Sequence, residues 1–285
     1  MPKRDEYPWS VPCWIDTGQP DPDAAMRFYG GLFGWEFQRV TASDSPGPYF
    51  LAHLNGLAVA GVWPLPDQMG PEALWASYVC VESADHAVAR ASDAGGSVVT
   101  EPFDVSDAGR MAVLDDPAGA TFCVWEPRGR RGAESVNAPG TWNWSELNTP
   151  DPEAAKGFYG TVFGWEASAL EIGGGDTIMW RLPGYGDFLE QLNPGTLQRH
   201  KDFGAPEGFS DAIAWLSEQA PDDVRPPHWS VTFASDDVHT HAEKAVELGG
   251  AVIVEPFDAE AVRAAVLADP QGAKFAVNQF EPEGF

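Results

Sequence analysis

The sequence predicts an α+β fold built from four βαβββ units, two in each half of the chain. Three observations carry that prediction. One stretch occurs twice, PDPDAAMRFYGGLFGWE at 20–36 and PDPEAAKGFYGTVFGWE at 150–166, 130 positions apart with 12 of 17 residues identical. A second pair closes each half: GGSVVTEPFD and AVLDDPAGATFCV within 95–124, and GGAVIVEPFDAEAVRAAVLADPQGAKFAV at 249–277. Between these repeats lie short apolar runs bounded by turn signals, which read as strands. An internal duplication decides the architecture before any single motif does.

The duplicated stretch reads as start, helix and stop. Asp21 and Asp151 can cap a helix, because a carboxylate accepts from the free amides of the first turn. Pro22 and Pro152 suit the first helical position, where no donor is needed. Ala24, Ala25, Phe28, Tyr29, Leu32 and Phe33 recur at helical spacing and make one apolar stripe of about 100°. Phe28 and Phe158 are therefore expected to be buried against a sheet. Gly34 and Gly164 end the helices where a left-handed residue is cheapest, and Trp35-Glu36-Phe37 starts a strand.

The remaining elements follow in order. A strand at 11–17 leads into the first helix. Strands at 35–41, 49–55 and 57–63 are separated by SPGP and by Asn55-Gly56, a hairpin signal. Pro64–Pro71 breaks the pattern. The second unit is a strand at Leu74–Val81, a helix over Ala84–Ala94 that stops at Gly95-Gly96, and strands at 97–103, 110–115 and 120–126. The second half repeats the plan. A strand at Thr141–Leu147 and a helix at 151–163 precede strands at 165–172 and 176–182, joined by a hairpin turn at Gly173-Gly174-Gly175. A strand at His228–Ala234, a helix at Val238–Leu248 and strands at 251–257, 263–268 and 273–280 complete it. The expected domains are 1–127 and 141–285, joined by the polar, glycine-rich linker RGRRGAESVNAPG at 128–140. One insertion, 183–212, breaks the symmetry. It holds two short helical pieces, DFLEQLN and TLQRHKDF, and is expected over or beside the second half's cavity.

Composition narrows the function. A length of 285 residues suffices for two domains with proper cores, and hydrophobic residues at 44% with 12 Trp describe a well-filled globular protein. The formal net charge is −26, from 43 acidic and 17 basic residues. Such a chain repels polyanions, which argues against nucleic acid and anionic membranes as partners. Cys13, Cys80 and Cys123 form neither a CxxC pair nor a disulfide framework and read as buried thiols. The first residues, MPKRDEYPWS, lack an apolar signal core, and no run of 18 apolar residues occurs. The expectation is a soluble, cytoplasmic protein, monomeric or homodimeric.

With PDP-x-AA-xx-FYG-xx-FGWE in each half and DDPAGATFCVWEP or ADPQGAKFAVNQFEP at each half's end, the chain resembles the vicinal oxygen chelate superfamily. That group spans glyoxalases, bleomycin-resistance proteins and extradiol dioxygenases, and the likeness is to tandem two-domain members of actinobacterial type. It covers essentially residues 11–282. The resemblance implies that modules pair into U-shaped, eight-stranded mixed sheets, two in all, with helices on the convex faces and a cavity on the concave ones. Whether modules pair within a half or across halves stays open at this point.

The resemblance also implies a divalent metal, held by His or Gln on a module's first strand and Glu on its partner's last strand. The matching positions here are Trp14, Ala76, Trp144 and Ser230 on first strands, and Cys123 and Ala276 on last strands. None is His, Gln or Glu, so no metal ligand is assigned and no cofactor is expected. Two readings follow. The first is a metal-free protein that binds a small molecule, cationic or aromatic, in concave clefts. The alternative is a metal-dependent lyase, isomerase or dioxygenase of the same superfamily whose ligands sit in another strand register.

Strand parity selects the candidate residues, because alternate residues face the same side. Asp16 and Glu146 each lie two residues past a Trp, and an aromatic plane beside a carboxylate suits a cation. The other reading of Trp14 and Trp144 is that they fill space left by a missing metal. The candidate ligand-binding set is Trp14, Asp16, Tyr78, Cys123 and Trp125 in the first half. In the second half it is Trp144, Glu146, His228, Ser230 and Asn278. No nucleophile–base pair or catalytic residue is identified. His86, His239 and His241 are expected on helix surfaces.

Overall fold

The computed structural model describes residues 3–40, 47–66, 72–172, 175–220, 222–259 and 262–280. The first half contains β1 (Pro12–Gln19), α1 (Pro22–Phe33), β2 (Glu36–Val40), β3 (Tyr49–Leu54), β4 (Leu57–Pro64), β5 (Leu74–Cys80), α2 (Ala84–Asp93), β6 (Ser97–Val105), β7 (Gly109–Asp115) and β8 (Thr121–Pro127). The second half begins with β9 (Trp142–Thr149), α3 (Pro152–Phe163), β10 (Glu166–Ile172), β11 (Gly175–Arg181), α4 (Tyr185–Leu192), α5 (Thr196–Asp202) and β12 (Ala212–Glu218). It ends with β13 (His228–Ala234), α6 (Val238–Glu247), β14 (Ala251–Ala259), β15 (Val262–Ala268) and β16 (Lys274–Phe280). The strands form two eight-stranded mixed sheets, ordered β2-β3-β4-β1-β5-β8-β7-β6 and β10-β11-β12-β9-β13-β16-β15-β14. Modules therefore pair within each half, through the antiparallel β1–β5 and β9–β13 seams.

The local signals act as their chemistry requires. Asp21 and Asp151 accept from the amides of Ala24 and Ala154 at 3.0 and 2.9 Å. Gly34 and Gly164 end the helices with φ of 75° and 73°. Phe28 and Phe158 are each 2% exposed. The SPGP segment, part of Pro64–Pro71 and the turn at Gly173-Gly174 fall partly or wholly outside the described residues. Strands β6 and β14 run two residues past their predicted ends, to Val105 and Ala259, through Pro102 and Pro256. Both are outermost strands of their sheets, where a missing donor is tolerated, and both shift register just before the Phe that follows the proline.

The two repeated motifs lock the halves together. Trp75 Nε1 donates to the Tyr29 hydroxyl at 3.1 Å, and that hydroxyl donates to Asp269 Oδ2 of the other half at 2.9 Å. The mirror relay runs from Trp229 to Tyr159 at 2.9 Å, and from Tyr159 to Asp116 at 3.2 Å. The FYG tyrosine of each half thus reaches the DPxG aspartate of the other. Phe28 meets Phe275, and Phe158 meets Phe122, in the same crossed sense. Ser77 and Ser145 face each other at 2.7 Å where β5 and β9 approach. The apolar stripe of each signature helix is therefore buried against residues of both halves.

Three sequence expectations need correction or completion. The linker is not a bare tether: Ala133 and Glu134 donate backbone amides to the carbonyls of Cys13 and Ala58 at 2.8 and 2.7 Å, tying it to β1 and β4. His241 is not a surface histidine. It lies one turn past its helix's cap, where α6 packs on α1, with its ring 5.6 Å from that of Phe33 and Nδ1 2.9 Å from the Ser235 hydroxyl. His86 and His239 are exposed as expected. Finally, β12 follows the insertion and supplies the third strand of the module. Among the described residues no helix is long and apolar enough to cross a membrane.

Candidate functional site

Past an irregularity between Pro12 and Trp14, strand β1 pairs in regular register, so its side chains alternate from Trp14 onward. Gln19 points to the helix side, where it donates to Asp269 at 2.7 Å, so Trp14 and Asp16 face the opposite, concave side. There Asp16 is 2% exposed. Its Oδ2 accepts from the hydroxyls of Tyr49 and Tyr78, each at 2.8 Å, and Oδ1 accepts from Trp63 Nε1 at 3.1 Å. Burial pushes this carboxyl up to about 6, against the pull of those three donors. Trp14 Nε1 donates to the Tyr49 hydroxyl at 2.9 Å, and the Arg130 guanidinium lies 6.0 Å from the Trp14 ring. Trp125 donates to the Arg130 carbonyl at 2.9 Å, so the linker covers this cleft. Tyr78 is in register with both Trp14 and Cys123, whose thiol burial pushes well above its usual range. The five first-half candidates are thus brought together, but they close on one another. The indole face is covered by the chain's own cation and the carboxylate is ringed by donors.

Gly61 makes that closure possible. A methyl at this position would overlap the Tyr49 hydroxyl and stand 2.9 Å from the Asp16 Cβ. Gly61→Ala is expected to cost about 1–3 kcal/mol through overpacking, read as a lowered midpoint in thermal unfolding.

The second cleft differs. Glu146, in register with Ser230 on β13 and Trp215 on β12, accepts a hydrogen bond from the Ser217 hydroxyl. Among the described residues no other group hydrogen-bonds this carboxylate. Burial raises the Glu146 carboxyl above its ordinary value, partly offset by Ser217. The Trp144 ring meets Trp215 at 5.5 Å and Phe209 at 6.1 Å, leaving a half-buried indole rather than a sealed one. Asn148 donates to the Ser230 hydroxyl at 3.2 Å, and Asn143 donates to Asn278 Oδ1 at 2.7 Å. His228 shares this face, but its Nδ1 pairs with the Pro226 carbonyl at 2.9 Å and burial holds its pKa down. Glu146, Ser230 and Trp144 therefore form the centre, with Asn278 and His228 nearer the ends of their strands.

The insertion stands beside this cleft. Phe209 joins Trp144 to His200 at 5.4 Å, and Phe203 packs on Phe280 at 5.2 Å. Sequence reasoning missed Tyr49, Trp63 and Arg130 in the first cleft, and Asn148, Trp215 and Ser217 in the second. Parity alone points to Asn148, two residues past Glu146. The other two second-half residues lie on β12, beyond an irregular insertion that hides the register.

The donors present do not fit the divalent metal that the fold implies. Among the described residues no three His, Cys, Asp or Glu side chains converge. Asp16 already accepts three hydrogen bonds, and the groups around Glu146 are neutral hydroxyls and amides, weak partners for such an ion.

Comparison with known proteins agrees with the duplication. The sequence profile of the glyoxalase-like domain matches residues 14–125 and 144–278. CFP32 of Mycobacterium tuberculosis, which carries a glyoxylase name, is 37% identical over 289 residues, covering 99% of this chain and 100% of the relative. DnrV of Streptomyces peucetius, named an anthracycline biosynthesis protein, is 34% identical over 288 residues, covering 96% of this chain and 94% of the relative. The Mn(II)-bound glyoxalase from Novosphingobium aromaticivorans shares the fold, with a TM-score of 0.59 at 16% identity, covering 95% of this chain and 82% of that one. Matched along both halves, the chain belongs to the glyoxalase-like domain family of the vicinal oxygen chelate superfamily.

Proposed function

We propose that this protein binds a small aromatic cation in the second half's cleft, without a divalent metal. What supports the reading is Glu146, a half-buried carboxylate with one hydroxyl partner and a half-buried indole two residues away. A carboxylate taken out of water gains most from a cation that replaces the missing solvation. A cation stacked on an indole gains about 0.5–2 kcal/mol from the ring. The first cleft lacks both openings, so the proposal rests on the second half alone.

Calorimetric titration with N-methylquinolinium and neutral quinoline tests this. Glu146→Gln is expected to weaken the cation by about tenfold or more and the neutral ring by less than about threefold. Trp144→Ala is expected to weaken both, and Trp14→Ala neither. Because burial raises the Glu146 carboxyl, cation affinity rises as pH climbs through that ionisation and falls on the acid side. In Glu146→Gln that dependence disappears. Equal losses for cation and neutral ring count against the reading. Stoichiometric divalent metal on protein purified without chelator would refute its metal-free part.

A further inference from the structure

We propose a second ligand pocket, separate from the Glu146 cleft, that takes an amphipathic organic monoanion such as an aromatic carboxylate or sulfonate. A cavity of about 570 Å³ lies where the insertion, the linker, the N-terminal segment and the last strand meet. That volume lies within the usual range for small-molecule sites. None of Trp144, Glu146 or Ser230 lines it; His200 does, and packs on Phe209, the ring that also touches Trp144. The walls are largely apolar: Leu189 and Leu192 from α4, Phe203 just after α5, Val136 from the linker and Phe280 from β16.

The charge is what identifies the ligand. Arg4 and Arg199 both line the cavity. Arg4 donates to the Tyr185 hydroxyl at 2.8 Å and lies 5.3 and 5.9 Å from the rings of Tyr7 and Tyr185. Arg199 donates to Thr196 Oγ1 at 2.7 Å and to the carbonyls of Asn193 and Pro194 at 3.3 and 3.2 Å. Among the described residues no carboxylate forms an ion pair with either guanidinium, although the chain has 43 acidic residues against 17 basic ones. The nearby acids make their hydrogen bonds elsewhere, although the Arg199 charge does reach Glu190, whose carboxyl the amides of Gly195 and Leu197 and then that charge hold below the ordinary value. Glu190 accepts from the amides of Gly195 and Leu197 at 2.7 and 2.9 Å, and Asp202 accepts from Gln198 at 2.7 Å.

Two guanidiniums held in place by neutral groups leave N–H donors for an incoming anion at little ordering cost. A carboxylate or sulfonate matches the planar fork, and the apolar walls take the ligand's body. Asp202 on the same wall limits the favourable charge to one.

The test uses the full chain and two fluorescent probes. One is 8-anilino-1-naphthalenesulfonate; the other, N-phenyl-1-naphthylamine, lacks the sulfonate. The anion is expected to bind one saturable site. Arg199→Met and Arg4→Met, which keep the apolar stem, should each weaken it about tenfold, and the neutral probe less than about threefold. Leu192→Trp, which fills the cavity, should abolish saturable binding of both. Glu146→Gln should change neither, which keeps this test apart from that of the cleft. Absence of a saturable site overturns the proposal. So does unchanged anion affinity in both arginine variants that retain near-UV dichroism, equal loss of the two probes, or loss of binding in Glu146→Gln.

Discussion

Replacing Asp269 by alanine is expected to destabilise the whole chain by about 3–5 kcal/mol, because it leaves several buried donors without their acceptor. Asp269 is 3% exposed and serves four donors. Oδ1 holds the turn amides of Gln271 and Ala273 at 2.9 and 3.0 Å, while Oδ2 takes Tyr29 and Gln19 of the other half at 2.9 and 2.7 Å. The symmetry-related Asp116 serves three, because Thr149 stands where Gln19 does and adds no bond to it. Asp116→Ala is therefore expected to cost less than Asp269→Ala. Tyr29→Phe removes one of those donors and also the acceptor of the Trp75 N–H, and should cost about 1–3 kcal/mol. Urea unfolding followed by tryptophan fluorescence and far-UV dichroism measures all three. Since each carboxylate belongs to one half and its tyrosine to the other, the two probes should report one shared transition. Two separated transitions, or a loss for Asp269→Ala below about 1 kcal/mol, would show that the halves stand independently.

What was legible in the residues was local. Caps, the helix stripe, Asn55-Gly56 and the duplicated endings all act over a few positions, and the structure follows them. Parity was legible too: it put Trp14 with Asp16, and Trp144 with Glu146, on the face away from the helices. What parity does not contain is the third dimension of the cleft. Whether a carboxylate stays open depends on side chains from β3, β4 and the linker, whose distance in sequence hides them. Tyr49 and Trp63 close over Asp16 from 33 and 47 positions away. In the second half the same closure is missing, and Ser217, 71 positions away, is what reaches Glu146. The linker offered no periodicity to read, because it pairs with β1 and β4 through a few backbone bonds rather than as a strand of its own. The crossed tyrosine–aspartate relays were hidden for another reason. Each motif is complete within its own half, and only the apposition of the two sheets shows that their polar atoms meet.

That contrast makes Asp16 the sharper stability test and Glu146 the binding test. Asp16→Ala is expected to cost about 3–5 kcal/mol at neutral pH, since it leaves the hydroxyls of Tyr49 and Tyr78 and the Trp63 N–H without their acceptor, each worth about 1–3 kcal/mol when orphaned. Asp16→Asn keeps an acceptor and the volume, so its cost should be much smaller. The pH dependence separates the two states of the carboxyl. Its folded value is raised from an ordinary 3.8 to about 6, so the folded chain holds this proton more tightly than the unfolded one. The resulting stabilisation is complete below about pH 4 and disappears as pH rises through about 6, a swing of about 3 kcal/mol at most. In Asp16→Asn that part of the swing should vanish, leaving a flatter curve of unfolding free energy from pH 4 to 7. Were Asp16 instead an open site for a cation, Asp16→Ala would be nearly neutral in stability and would weaken binding of N-methylquinolinium. A cost near zero together with lost affinity would therefore reassign the ligand site to the first half.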